Sequence, residues 1–291
     1  MKTKLRNIAM TIGLTSIMGS ATLIAETGGK STARIPVEFS ADATSHLTRA
    51  EMEVFLRTAP IIKHKELGTG VTHSIRATLS DGRIQHDAHI QQIDESKTTF
   101  QTDRGTELNF RDTWKFNIAA YRLDQILDLN MTPMSVERSA LGKSSAVTWW
   151  LDDTMMEVDR KKKHLEPPDQ DAWNRQMYVV RVFDQLIYNT DRNLQNMMVD
   201  TKEWQIWMID HTRAFRMRTD LMEVKNLVRC DRKLLAGLRK LDLAALRGLK
   251  PYVTDQEIKG LLARRDKIVK FFDNAIAAKG EAAVLYDTPQ R

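Results

Sequence analysis

Residues 183–215 read FDQLIYNTDRNLQNMMVDTKEWQIWMIDHTRAF, and the punctuation of this stretch decides the fold. The run 176–188 leads into it with Met177, Val179, Val180, Phe183, Leu186 and Ile187, a broad helical stripe rather than the alternation of a strand. Asn189, Thr190 and Asp191 break that helix, because short polar side chains that bond their own backbone favour turns. Met197, Met198 and Val199 form a short apolar run, 200–203 reads as a turn, and 205–209 is a second β-prone run ending at Asp210. The predicted order is helix, polar loop, hairpin, acidic residue.

A hairpin brings residues that are distant in sequence to one place, and here they are Asp191, Asn196 and Asp210. Phosphoryl transfer needs a carboxylate beside the attacking hydroxyl and oxygen ligands for Mg²⁺, which neutralises the phosphates. Asp191 is the candidate base, and Asn196 and Asp210 are the candidate metal ligands. An Asp and an Asn five residues apart arise by chance in a chain of this length, and Asp191 and Asn193 alone could simply turn the chain. The combination is far more specific.

The segment resembles the atypical kinases: the phosphoinositide kinases, the HipA-type toxin kinases and, most closely, the secretory-pathway casein kinases of the Golgi. In those families an Asp-Arg pair follows the helix, as Asp191-Arg192 does here, and variable residues follow the metal-binding Asp, as in Ile209-Asp210-His211. A second block, 114–138 (WKFNIAAYRLDQILDLNMTPMSVER), has Ile118, Tyr121, Leu123, Ile126 and Leu127 near helical spacing, then Pro133 and a β-prone segment. It resembles the small-lobe helix of the Golgi kinases. The run 146–151 (AVTWWL) is then the expected hinge strand beside adenine, with Trp149 and Trp150 expected in the core.

Upstream, 67–94 has the pattern of two strands joined by a turn at Ser80, Asp81 and Gly82. Gly68, Thr69 and Gly70 are candidate cofactor-binding residues, since glycine lets backbone amides approach phosphates, although the segment taken alone reads more readily as a plain turn. The strand 84–93 is where the resemblance places a phosphate-binding Lys. That position falls at or near Gln91, and its helix Glu partner falls at Asn117, so the ion pair is replaced at both ends. Joint replacement is consistent physically, because one unpaired charge in a partly buried cleft costs about 3–5 kcal/mol. Either another cation, such as Lys97 or Lys115, reaches the phosphates, or the chain is a pseudokinase that acts as a binding protein.

The 291 residues, 42% of them hydrophobic, are enough for a sizeable core. The formal net charge is +6, and Lys2, Lys4 and Arg6 carry three of those charges, which leaves no argument for nucleic acid as a partner. Those cations precede an apolar stretch from about residue 8 to 25 and then polar residues. This is the pattern of a secretory signal peptide, with an uncleaved anchor as the alternative. Residues 26–45 read as a linker, Thr48 and Glu51 as a capping box opening a helix to Arg57, and 160–163 as a solvated charged linker. His86 and His89 point to opposite faces of a strand, and the lone Cys230 reads as a buried thiol.

The expectation is an α+β, two-lobed protein-kinase-like fold. Residues 46–151 form a β-rich small lobe with one helix, and 152–291 form a mainly helical large lobe. The resemblance implies an exported kinase using ATP with Mg or Mn on a hydroxyl-bearing acceptor, with no stable membrane span after signal cleavage. Periplasmic, secreted and secretory-lumen locations all fit that export.

Overall fold

The computed structural model describes residues 47–68, 74–102 and 105–288. The signal-peptide and linker expectations, together with Thr69 and Gly70, lie outside them. All the described residues belong to one compact unit, Phe39–Arg291.

Helix α1 (Arg49–Thr58) opens on the expected capping box: the Thr48 hydroxyl accepts from the Glu51 amide while the Glu51 carboxylate accepts from the Thr48 amide. Strands β1 (Ile61–Glu66), β2 (Ile75–Ser80) and β3 (Gln85–Gln91) follow. The β2–β3 turn forms as expected: Asp81 accepts from the amides of Arg83 and Ile84, and Gly82 takes a left-handed φ of 87°. Strands β4 (Asp94–Thr102) and β5 (Gly105–Thr113) then form a separate two-stranded hairpin that the sequence does not announce. Helix α2 (Lys115–Leu127) and strands β6 (Ser135–Ala140) and β7 (Lys143–Trp149) complete this part.

The five-stranded antiparallel sheet has the order β1-β2-β3-β7-β6. Alternation divides its two faces. Ile75, Ala77, Leu79, Ala88, Ile90 and Val147 pack with Phe55 and Leu56 of α1 and Tyr121 of α2 in one core. The ladder register puts Lys63, Lys65, Arg76, Thr78, Asp87, His89, Gln91, Ala146 and Thr148 on the opposite face. His86 and His89 do lie on opposite faces. His86 stacks on Trp149 with ring centroids 3.8 Å apart.

The remaining elements are β8 (Thr154–Met156), α3 (Glu157–Lys162), α4 (Gln170–Ile187), β9 (Met197–Asp200), β10 (Ile206–Met208), β11 (Cys230–Asp231), α5 (Arg232–Lys240), α6 (Asp255–Lys279), α7 (Glu281–Val284) and β12 (Leu285–Tyr286). A second core joins α2, α4, α5 and α6 through Phe116, Leu123, Phe183, Leu186, Leu238 and Phe272. Helix α2 therefore contributes to both cores. Helix α4 begins six residues before the predicted run, where Asp169 caps the Ala172 amide. The charged run 160–163 keeps Lys161, Lys162 and Lys163 exposed, as expected, but it is helix rather than linker. It lies largely in α3, where Arg160 is buried, pairs with Glu157 and covers the Trp173 ring. Trp149, half-buried, packs against the first core beside Phe55, as expected, whereas Trp150 is half-buried with the Arg76 guanidinium 4.1 Å above its ring. Cys230 is a buried thiol, as expected, and burial holds its pKa far above the ordinary thiol range.

Candidate functional site

Helix α4 ends on Tyr188 with a left-handed φ of 51°, and a chain of side-chain turns shapes the loop that follows. Asn189 donates to Asp184 at 3.0 Å and accepts from the Asp191 amide at 3.1 Å. Asn193 accepts from the Gln195 amide at 2.7 Å, and the Asn196 side-chain amide donates to the Asp191 carbonyl at 2.8 Å. These are the local backbone bonds that make Asn a turn residue, and together they hold Asp191 outward from the loop. Its side chain is 41% exposed.

Arg192 fixes this loop to the rest of the fold. Its guanidinium meets Asp184 of α4 through Nε and Nη2 at 3.0–3.3 Å, bonds the carbonyls of Asn196 and Ile209 through Nη1, and contacts His211 Nε2 at 3.0 Å. One side chain thereby ties together the helix end, both strands of the hairpin and the residue after Asp210. Burial and the neighbouring Arg192 charge keep the His211 pKa well below its ordinary value, so the ring is neutral.

Asp210 follows β10 with a left-handed φ of 50°, and its carboxylate accepts from the Thr212 hydroxyl at 3.0 Å. The backbone beyond it is pinned from two sides. Thr113 donates to the Thr212 carbonyl at 2.9 Å, and Asn117 accepts from the His211 amide at 2.7 Å. Asp112, at the end of β5, supplies a third carboxylate. Arg213 Nε donates to Asp112 Oδ2 at 2.7 Å, and Arg213 Nη1 stands 3.9 Å from Asp191 Oδ2. The Asp191 pKa is raised, mainly by burial and then by the Asp210 and Asp112 charges, against the lowering effect of Arg213. The Asp210 pKa is also raised, first by burial, with Asp112 adding to it and Thr212 opposing.

The fold thus brings Asp191, Asn196 and Asp210 to one place. Gln91 is fully buried at the end of β3, and Asn117 is spent on the His211 backbone rather than on a small-lobe side chain. Gly68 precedes the undescribed part of the β1–β2 loop with φ 59°. The two cations considered as replacements are engaged elsewhere: Lys97 with Glu95 at 2.9 Å and Lys115 with Asp94 at 3.0 Å. Asp112, Asp184 and Arg213 escape the sequence reading. Nothing near Asp112 or Arg213 in sequence marks them, because they pair across about a hundred residues, whereas Asp184 pairs with Asn189 and Arg192, five and eight residues on.

Among the described residues no group of three or more His, Cys, Asp or Glu side chains is poised to hold a metal ion. The local chemistry still fits a cation. Asp112 Oδ1 is buried without a hydrogen-bond partner, and the pKa values of Asp191 and Asp210 are raised first by burial and then by neighbouring carboxylates, Asp210 and Asp112 on Asp191 and Asp112 on Asp210. Asn196 bonds the Asp191 carbonyl through its side-chain nitrogen, which leaves its oxygen as an acceptor. A cleft of about 1370 Å³ opens beside this cluster, lined by Asp191, Arg213, Phe100, Leu108 and Phe110 among others. The β4–β5 hairpin forms one wall. It is fastened by Arg111 to Glu257 of α6 at 2.6 and 2.7 Å and by Glu107 to Arg216 at 2.7 Å. Among the described residues no helix is long and apolar enough to cross a membrane.

No family model and no curated protein sequence matches this chain. Solved structures do. Fam20 of hydra, determined with sugar, superposes with a TM-score of 0.64 at 14% identity over 83% of this chain and 93% of its own. The Golgi casein kinase gives 0.60 at 14% identity over 82% of this chain and 79% of its own. Its form with Mn/ADP bound gives 0.59 at 14% identity over 83% and 80%. With a β-rich lobe, a helical lobe and this likeness, the chain has an α+β atypical kinase fold of the Fam20 type.

Proposed function

We propose that this chain is an exported, metal-dependent phosphotransferase that moves the γ-phosphoryl group of ATP to a hydroxyl acceptor, with 46–151 and 152–291 as its two lobes. The observation that carries the reading is that the loop and hairpin hold Asp191, Asn196 and Asp210 together, with the Asp112 carboxylate, one oxygen of which is buried without a partner, acting on both aspartates. Asp210, Asn196 and Asp112 would hold Mg²⁺ or Mn²⁺, and the ion when bound would neutralise phosphate charge. That a fold relative is described with Mn/ADP supports the choice of ligands. Asp191, half-exposed in the cleft, would orient the acceptor hydroxyl and take its proton. In that transfer the acceptor oxygen forms the new O–P bond, the γ-phosphorus bond to the bridging oxygen breaks, and ADP leaves with the electron pair. Gly68, Thr69 and Gly70 would border the nucleotide, while Gln91, fully buried, would lie behind that surface. Asn117 would act indirectly, by fixing the backbone beside Asp210. The acceptor is a protein, sugar or lipid hydroxyl.

A second reading, a non-catalytic pseudokinase, draws on the same neutral pair: Gln91 buried on β3 and Asn117 committed to His211. Thermal unfolding of the chain with ATP and Mn²⁺ separates the two readings. At about 100 times Kd, ligand should stabilise the native state by about 2.7 kcal/mol, and Asp210→Ala should remove the effect. Absence of any nucleotide shift would reject the phosphotransferase. Where binding is seen, Asp191→Asn should abolish phosphate transfer while leaving the shift in place, and full activity in that variant would reject the base. Export is tested by N-terminal sequencing of the mature chain, with cleavage expected after Ala21 or Ala25; an intact leader would favour the anchor.

A further inference from the structure

We infer that Arg213 supplies the cation that meets the phosphate end of the nucleotide, in place of the charge absent at Gln91 and Asn117. The inference rests on the phosphotransferase reading above and adds a binding residue to it.

Arg192, Arg76 and Arg216 are each engaged by the fold. Arg192 is closest in sequence to Asp191, yet every nitrogen of its guanidinium is committed to Asp184, to two carbonyls or to His211. Arg76 shares the sheet face of Gln91, but its Nε bonds Asp87 at 2.5 Å and its plane covers Trp150. Arg216 is buried, bonds the Arg111 carbonyl and faces Glu107. Arg76, like Arg213, keeps both Nη groups unbonded, but it lines a different pocket, whereas Arg213 stands beside Asp191. Only the Nε of Arg213 forms a hydrogen bond, to Asp112, while its Nη1 lies 3.9 Å from Asp191, beyond hydrogen-bond reach. The side chain is 31% exposed and lines the cleft.

Its mounting suits a fixed donor. The backbone from His211 to Ala214 is held by the His211–Asn117, Thr113–Thr212 and Ala214–His211 bonds. The Asp112 bond stops the guanidinium from swinging away, with the Phe110 ring 5.9 Å beneath it. A guanidinium held at one edge presents its remaining N–H groups as a fork, the geometry that matches phosphate oxygens. The fork stands beside the proposed base and the proposed metal ligands, where a transferring phosphoryl group has to lie. A small-lobe Lys–Glu pair is then unnecessary, and its neutral replacements carry no uncompensated charge.

The test compares ATP, tripolyphosphate and adenosine, each with Mn²⁺, on the full chain. In the wild type, ATP and tripolyphosphate should protect Arg213 from phenylglyoxal several-fold, read by peptide mass spectrometry, and adenosine should not. This measurement needs no variant and so does not depend on one folding. In Arg213→Gln, ATP affinity should fall about 10- to 100-fold, as expected for a charged hydrogen bond, with adenosine affinity unchanged. Modification of Arg213 at the same rate under saturating ATP, or an unchanged preference for ATP over adenosine in Arg213→Gln, would overturn the inference and leave the phosphotransferase standing. A wild type that binds neither ATP nor tripolyphosphate would overturn both.

Discussion

Replacing Arg192 with Met should unmoor the Asp191 loop, and the structure allows the cost to be gauged. Arg192 and Asp184 are 11% and 10% exposed and meet through two guanidinium nitrogens at 3.0–3.3 Å, so solvent screens the pair little. Removing the cation leaves the Asp184 carboxylate buried with only the Asn189 amide, and it also removes a donor from the carbonyls of Asn196 and Ile209. Breaking a buried pair from one side costs about 3–5 kcal/mol. With a urea m-value of about 3 kcal/mol/M for a chain of this size, the midpoint should fall by about 1–1.7 M. The double variant Asp184→Leu/Arg192→Met has no stranded charge and should recover at least about 1 kcal/mol relative to Arg192→Met, a coupling of the kind found between contacting residues. Urea titrations of the wild type, both single variants and the double variant measure this directly. A loss below about 1 kcal/mol in Arg192→Met, or strictly additive single effects, would refute the view of Arg192 as the anchor of the loop.

Three further outcomes follow from buried polar groups. His211 is neutral in the fold with a depressed pKa, so its contribution is present above the unfolded value of about 6.5 and is lost as pH falls below it. Denaturant titrations should show that slope in the wild type and a shallower one in His211→Gln. Asp124, buried at the end of α2, has its pKa raised to about 6, chiefly by burial. Its contribution is fully present below about 3.8 and is lost as pH rises through about 6, an effect of about 3 kcal/mol that Asp124→Asn should remove. In Asn117→Leu the buried His211 amide loses its acceptor, which should cost about 1–3 kcal/mol by urea unfolding and weaken Mn²⁺ stabilisation; an unchanged Mn²⁺ effect would separate Asn117 from the site.

The elements legible in the sequence are those whose causes are local. The stripe Val179, Val180, Phe183, Leu186, Ile187 gives α4, the Asn189–Asp191 turn residues end it, and the apolar runs around 197–199 and 206–208 pair as β9 and β10. The Thr48–Glu51 box and the Ser80–Gly82 turn are likewise fixed by neighbours in the chain. The β4–β5 hairpin is not legible: its strands are mostly exposed and polar on both faces, so they carry no period of two. Arg160 reads as part of a solvated run because its burial depends on Trp173 and the turn at Leu165, which only packing brings to it.

Local patterning alone carries the order helix, polar loop, hairpin, acid, and with it the placing of Asp191, Asn196 and Asp210 at the two ends of one hairpin. Helix period, turn chemistry and strand pairing act over a few residues and survive in any local reading. What surrounds those residues is set by long-range packing. Asp112 lies about a hundred residues from its partner Arg213, and Asn117 is as distant from the His211 amide that it holds. A contact of that range is set by which faces are buried together, and the residues that make it carry no mark of it in their own stretch of chain.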